Sequence, residues 1–212
     1  MELINSQVQQ YAENYSSPED PLLHEISDYT YKHNAEPHML SGHLQGKVLE
    51  MISCMIQPRR ILEIGTFTGY SALCLAKGLA NDGVLHTIEL RETEAEKAKS
   101  FFEKGGYSQK IIVHTGNALE VMKTLNETWD LVFIDADKPG YQQYFNQALP
   151  NVRKNGFILA DNIFFHGEVF QTVVKGKSAK AIAEFNDFIK AQTGIEKVIL
   201  TIRDGLFLIR KL

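Results

Sequence analysis

The sequence predicts an α/β fold built on a seven-stranded, mostly parallel, doubly wound sheet, with helices on both faces and a helical N-terminal extension. Three observations predict it. From Arg60 onward, short apolar runs bounded by Gly and Asp alternate with segments of helical periodicity. Residues 131–134, Leu-Val-Phe-Ile, are uninterruptedly apolar, as a strand covered on both faces of a parallel sheet requires. Finally, only Arg203, Asp204 and Gly205 separate the last two strand patterns. A parallel crossover needs a dozen or more residues, so these two strands form a hairpin and one strand runs antiparallel.

Taken in order, residues 1–58 carry no strand pattern, and their apolar positions recur at helical spacings broken by Pro18, Pro21, Pro37 and Pro58. Ser17-Pro18-Glu19-Asp20 marks a helix start before Leu22, Leu23 and Ile26, and a further helix is expected over 42–56. Between them, residues 33–41 form a polar linker able to fold over a site. Strands are expected over 60–64, 84–89, 111–114, 130–135, 157–161, 197–201 and 206–210. The intervening helices fall over 69–79, 92–104, 119–125, 141–152 and 178–192. One domain spanning 1–212 is expected, with 1–58 as a helical cap and 59–212 as the α/β core, because no Pro/Gly/Ser-rich linker interrupts the chain.

A net charge of -4 gives no electrostatic reason to expect nucleic acid or an anionic membrane as partner, which leaves small molecules. The start, Met-Glu-Leu-Ile-Asn, lacks the basic stretch and apolar core of a secretory leader, and no run approaches the ~18 apolar residues of a membrane span. A cytoplasmic protein is expected. Cys54 and Cys74 lie in helical patterns without CxxC spacing and are expected to be buried, reduced, structural thiols.

The chemistry concentrates where strands end. Glu63-Ile64-Gly65-Thr66-Phe67-Thr68-Gly69 occupies the first strand-to-helix turn, the ligand position of open α/β sheets. Phe67 replaces the middle glycine that lets backbone approach a pyrophosphate, which disfavours a dinucleotide. Glu89 ends the second strand, where a carboxylate accepts hydrogen bonds from ribose hydroxyls. A nucleoside without a diphosphate points to S-adenosylmethionine. Gly116-Asn117-Ala118 offers a turn that could border an adenine, whereas His114 reads as a core histidine. Asp135, Asp161 and Asn162, at the ends of two strands, supply only hard oxygen ligands, which suits Mg²⁺, with Mn²⁺ or Ca²⁺ as alternatives, and disfavours zinc. Lys138, three residues past Asp135, could serve as a general base if a metal and neighbouring positive charge lower its pKa.

Residues 61–72 (ILEIGTFTGYSA), 130–138 (DLVFIDADK), 160–162 (ADN), 166–169 (HGEV) and 204–211 (DGLFLIRK) together resemble the cation-dependent class I O-methyltransferases, the group of caffeoyl-CoA and catechol O-methyltransferases, and bacterial members most of all. The resemblance covers roughly residues 35–212. It implies a Rossmann-like methyltransferase sheet with a reversed last strand, S-adenosylmethionine, a divalent metal and commonly a homodimer. Carried over, the metal ligands are Asp135, Asp161 and Asn162, with Lys138 as base. Glu63, Gly65, Thr66, Phe67 and Ser71 line the cofactor, Glu89 holds its ribose, Asn117 and Ala118 border the adenine, and Asp135, Asp137 and Tyr144 also contact it. Met39, Leu40 and Ser41 match the segment that covers the sulfonium. Where plant enzymes carry Trp-Asn after their Asp-Asn pair, this chain has Phe165-His166, so His166 joins Lys138 as a substrate contact. The loop over 170–177 and the helical preface are expected to shape the acceptor pocket.

The implied reaction is in-line methyl transfer to a hydroxyl of a vicinal dihydroxy aromatic, catechol-like or caffeoyl-like. Two alternatives are set beside it. A non-catalytic S-adenosylmethionine-binding module gives no reason for Lys138 beside three oxygen ligands, and a NAD-dependent oxidoreductase is opposed by Phe67.

Overall fold

The computed structural model describes residues 5–212, so the reading of the first four residues lies outside the described residues. Helices α1 (Ser6–Tyr15), α2 (Pro21–His33) and α3 (Gly42–Ile56) precede the sheet, with a 3₁₀ turn at Pro37–Met39 between the last two. Asp20 caps α2, its side chain accepting from Leu22 N at 2.9 Å, and Pro21 stands at the first helical position, where its missing N–H costs nothing. The core then runs β1 (Arg60–Ile64), α4 (Tyr70–Ala76), β2 (Val84–Glu89), α5 (Glu92–Lys104), β3 (Ile111–Thr115), α6 (Ala118–Thr124), β4 (Trp129–Ile134), α7 (Tyr141–Ala148), β5 (Val152–Ala160), α8 (Lys177–Ala191), β6 (Ile195–Leu200) and β7 (Leu206–Lys211).

The sheet order is β3-β2-β1-β4-β5-β7-β6. Five strands pair in parallel, and β7 runs antiparallel to both β5 and β6, as the short 201–205 connection requires. Strand alternation explains how one apolar run serves two cores: Leu131 and Phe133 enter the core beneath α2–α5, while Val132 and Ile134 enter the one beneath α6–α8. All four are fully buried.

Several boundaries differ from expectation. Helix α7 stops at Ala148 and gives way to a 3₁₀ turn at Leu149–Asn151, because Pro150 cannot donate the next helical hydrogen bond. Strand β5 begins earlier than expected, at Val152, with a register shift against β4 and Asn155 at φ 60°. Cys54 is exposed rather than buried, since α3 turns Gln45, Leu49, Ile52 and Ser53 inward and leaves Cys54 outside; Cys74 is buried, and both are free thiols. Burial pushes the Cys74 thiol pKa up, keeping it inert. His114 pairs with His86, ring nitrogens 3.0 Å apart, and burial lowers both pKa values.

The chain winds outward through β2 and β3, then returns to β4 on the other side of β1. That reversal is the point where open α/β sheets collect ligands. One hydrogen bond past each strand carries the chain onto the carboxyl edge: Gly65 N to Ile88 O at 3.0 Å, Asp135 N to Ile64 O at 2.9 Å and Asp161 N to Ile134 O at 3.0 Å. Gly65 adopts φ 103°, and a Cβ there would lie 1.9 Å from Asp135 O. Gly65→Ala is therefore expected to cost about 3 kcal/mol and to lower Tm on the order of 10 °C, measured by thermal denaturation. An unchanged Tm would refute this close approach.

Candidate active site

A cleft of about 590 Å³ opens at the β1/β4 reversal. On one side it is walled by the turn after β1. Phe67, at φ 49°, points its backbone N–H at Glu89 Oε2, 2.8 Å away, while Glu89 Oε1 accepts from Arg91 N at 3.0 Å. Arg91 Nε also donates to Glu89 Oε1, at 3.2 Å, so the carboxylate at the end of β2 is locked in place and Oε2 keeps a lone pair for a ligand hydroxyl. Asn117 caps α6, accepting from Leu119 N at 3.0 Å, so the Gly116-Asn117-Ala118 turn is held by its own side chain. Tyr144 OH donates to Asp137 Oδ1.

The floor is an oxygen cluster gathered around one amine. Lys138 Nζ donates to Asp135 Oδ1 at 3.0 Å, to Asn162 Oδ1 at 2.7 Å and to Tyr141 OH at 2.7 Å. Tyr141 is fully buried and donates onward to the Asp161 carbonyl at 3.1 Å. The Asp161 side chain accepts from Gln45 Nε2 at 2.7 Å and from Asn162 N at 2.8 Å. Burial, reinforced by the Asp135 charge, raises the Asp161 pKa, with Lys138 opposing. Asn162, Phe165 and His166 all take left-handed φ values of 43° to 55°. Such strain persists only where outside contacts hold it, and Asp204 Oδ1 accepts from His166 N at 2.7 Å.

Most residues singled out from the sequence meet on this cleft. Its lining includes Met39, Ser41, Gly65, Thr66, Phe67, Ser71, Glu89, Asn117, Ala118, Asp135, Asp137, Lys138, Tyr144, Asn162 and His166. Glu63 and Asp161 are the exceptions, lying one layer below the surface. Glu63 is fully buried on β1, and its Oε2 accepts from Thr87 Oγ1. The linker residues Glu36, His38, Met39, Leu40 and Ser41 fold over the cleft. Among the described residues, neither the 170–177 loop nor helices α1 and α2 line it, although Ser178 does. Helix α2 spends its apolar face on the core, burying Leu23 and Ile26.

Four functional neighbours escaped sequence reasoning: Gln45, Tyr141, Arg203 and Asp204. Gln45 carried a signal, being a polar residue on the helical stripe shared with Leu49 and Ile52. Tyr141 lay at i+3 from Lys138, but nothing local distinguishes it from a core aromatic. Arg203 and Asp204 reach the site only through the hairpin's place in the sheet.

Fold and site define a class I α/β transferase with a nucleoside-sized cleft above a buried acidic cluster. The O-methyltransferase family model matches residues 13–212. The chain is similar to a catechol O-methyltransferase from Niastella koreensis, 33% identical over 160 residues, covering 74% of this chain and 72% of that protein. A probable caffeoyl-CoA O-methyltransferase 2 from Dictyostelium discoideum is 31% identical and covers 98% of this chain and 93% of its own. Among solved structures, an O-methyltransferase from Bacillus cereus in complex with SAH superposes with a TM-score of 0.90 at 31% identity, covering 97% of each chain. This chain belongs to the O-methyltransferase family and is an S-adenosylmethionine-dependent O-methyltransferase.

Burial pushes the Glu63 pKa up to about 8, with repulsion from Asp135 and Glu89 adding to it and hydrogen bonds from Thr87 and Ser71 opposing. The folded protein therefore holds a proton that the unfolded carboxyl releases near its ordinary value of about 4.3. Stability from this group is full below that value and is lost as pH rises to about 8. Glu63→Gln should remove that loss: its Tm relative to wild type is expected to climb between pH 5 and pH 8. Parallel Tm profiles for the two proteins would contradict a protonated Glu63.

Proposed function

We propose that the protein methylates a hydroxyl of a vicinal dihydroxy aromatic, catechol-like or caffeoyl-like, with a divalent cation, Mg²⁺ by preference, held by Asp135, Asp161 and Asn162. The observation that carries this is the cluster around Lys138 Nζ: Asp135 Oδ1 and Asn162 Oδ1 aim at one cationic point, and Asp161 adds a second carboxylate behind it. An all-oxygen donor set at a cation-attracting point fits a hard divalent ion.

When bound, S-adenosylmethionine supplies an electrophilic methyl and the divalent ion supplies Lewis-acid polarisation of an acceptor hydroxyl. The chain's own residues do the rest. Glu89 and Asp137 accept hydrogen bonds from cofactor hydroxyls, and Met39 and Ser41 cover the cleft and exclude water. Phe165 and His166 wall the acceptor side. Lys138 is the group placed to take up the acceptor proton on Nζ, and Tyr141 OH holds that nitrogen in position.

Asp161→Ala is expected to reduce methylation of a catechol by ~100-fold or more and to abolish its response to added Mg²⁺. Lys138→Ala should lower kcat ~100-fold with little change in the KM for S-adenosylmethionine. A radiolabelled-methyl transfer assay with and without chelator checks both. Full activity of Asp161→Ala in chelator would end the metal proposal.

A homodimer and a cytoplasmic location belong to the same proposal. The two free thiols suit a reducing compartment. For the dimer, α1 buries no residue of its own and, at ten residues, is too short for stability alone. It stands beside an exposed apolar face with Met51, Met55 and Val198, and a second copy would cover both. Light scattering should give twice the 24.0 kDa protomer mass, and Met55→Glu should shift the protein toward monomer. A wild-type monomer at micromolar concentration would exclude the dimer.

A further inference from the structure

Arg203, Asp204 and Gly205 form the tip of the β6–β7 hairpin, and that tip touches both walls of the cleft. On one side Arg203, at φ 46°, sends its guanidinium into the segment before α3. Nη1 donates to Leu40 O at 2.7 Å, to Ser41 O and to Gln45 Oε1 at 3.3 Å, and Nη2 donates to His38 O at 3.4 Å. A cation gains nothing from the α3 dipole, whose positive end lies at Gly42, so these acceptors are what hold it.

Gln45 passes the contact inward. It is 1% exposed, its carbonyl faces Arg203 and its amide nitrogen faces Asp161 Oδ2 at 2.7 Å. A donor on one side and a carboxylate on the other allow only this amide orientation. On the opposite side of the tip, Asp204 O accepts from Phe164 N at 2.9 Å and Gly205 O from Ile163 N at 3.2 Å, fastening the chain that follows Asp161 and Asn162.

We propose that Arg203 is a positioning residue: it fastens the segment 38–41 over the cofactor end of the cleft and, through Gln45, orients the Asp161 carboxylate. The hairpin tip thereby sets the separation of the cofactor cover from the acidic floor. This rests on the assignment of the cleft to S-adenosylmethionine, and on no metal. The planar fork of arginine reaches these acceptors from two separate nitrogens, Nη1 and Nη2, whereas a lysine ammonium donates from a single atom.

The test is calorimetric titration with S-adenosylhomocysteine, paired with hydrogen exchange read peptide by peptide. Arg203→Met keeps the aliphatic stem and should weaken the Kd about tenfold, the loss of charge-assisted hydrogen bonds that order the cover. Exchange should quicken over residues 38–46 while β1 and β4 keep wild-type protection. Arg203→Lys should fall between wild type and Arg203→Met, and it carries the test if the methionine variant does not fold. An unchanged Kd with unchanged exchange over 38–46 would overturn the proposal. So would a Kd loss accompanied by uniformly faster exchange, which marks a general structural role. A wild-type protein that fails to bind S-adenosylhomocysteine would instead overturn the cofactor assignment beneath it.

Discussion

The backbone hydrogen bond from Asp135 N to Ile64 O, 2.9 Å long, holds the carboxyl ends of β1 and β4 side by side, and the site depends on it. It exists because the chain reverses its winding there, leaving a gap between the loops that no crossover fills. Gly65 lets the β1 turn lie directly on the Asp135 carbonyl, so the cofactor wall and the acidic floor share one piece of backbone. A shift in either strand would therefore move both halves of the chemistry together.

Charge organises what the backbone brings together. Asp135 and Asp161 repel each other at the floor, and the Lys138 ammonium between Asp135 and Asn162 is the counter-charge that makes the cluster tolerable. Tyr141 and Gln45 fill remaining hydrogen-bonding demands from opposite cores, one below α8 and the other from α3. Glu63 lies deeper still, linked through Thr87 to Thr66 at 2.5 Å, which ties the cleft wall to the interior of the sheet. These polar groups are buried where an apolar core would be more stable, as expected of a site kept for function.

Much of the fold was legible because its signals are local. The uninterrupted run 131–134, the acids closing strands at Asp135 and Asp161, and the three-residue connection before β7 each constrain the backbone within a few residues. The site residues on strand ends were legible for the same reason, since a strand terminus in a parallel sheet has only one edge to reach. The exposure of Cys54 is not legible, because a helical pattern shows periodicity without revealing which residues of its flank meet the sheet. The end of helix α7 is not legible either, because its apolar periodicity continues through Pro150, where the hydrogen bonding does not.

By itself, then, the sequence determined the order of elements, the ligand-bearing edge and the chemical type of its donors, because these follow from periodicity, turn length and side-chain identity. Tertiary structure alone decided that Arg203 and Gln45, 158 positions apart, meet behind the segment 38–41, and that Glu63 is fully buried beneath the cleft. Such contacts arise from strand order and from the packing of α3 against the sheet, and no short stretch of sequence encodes either.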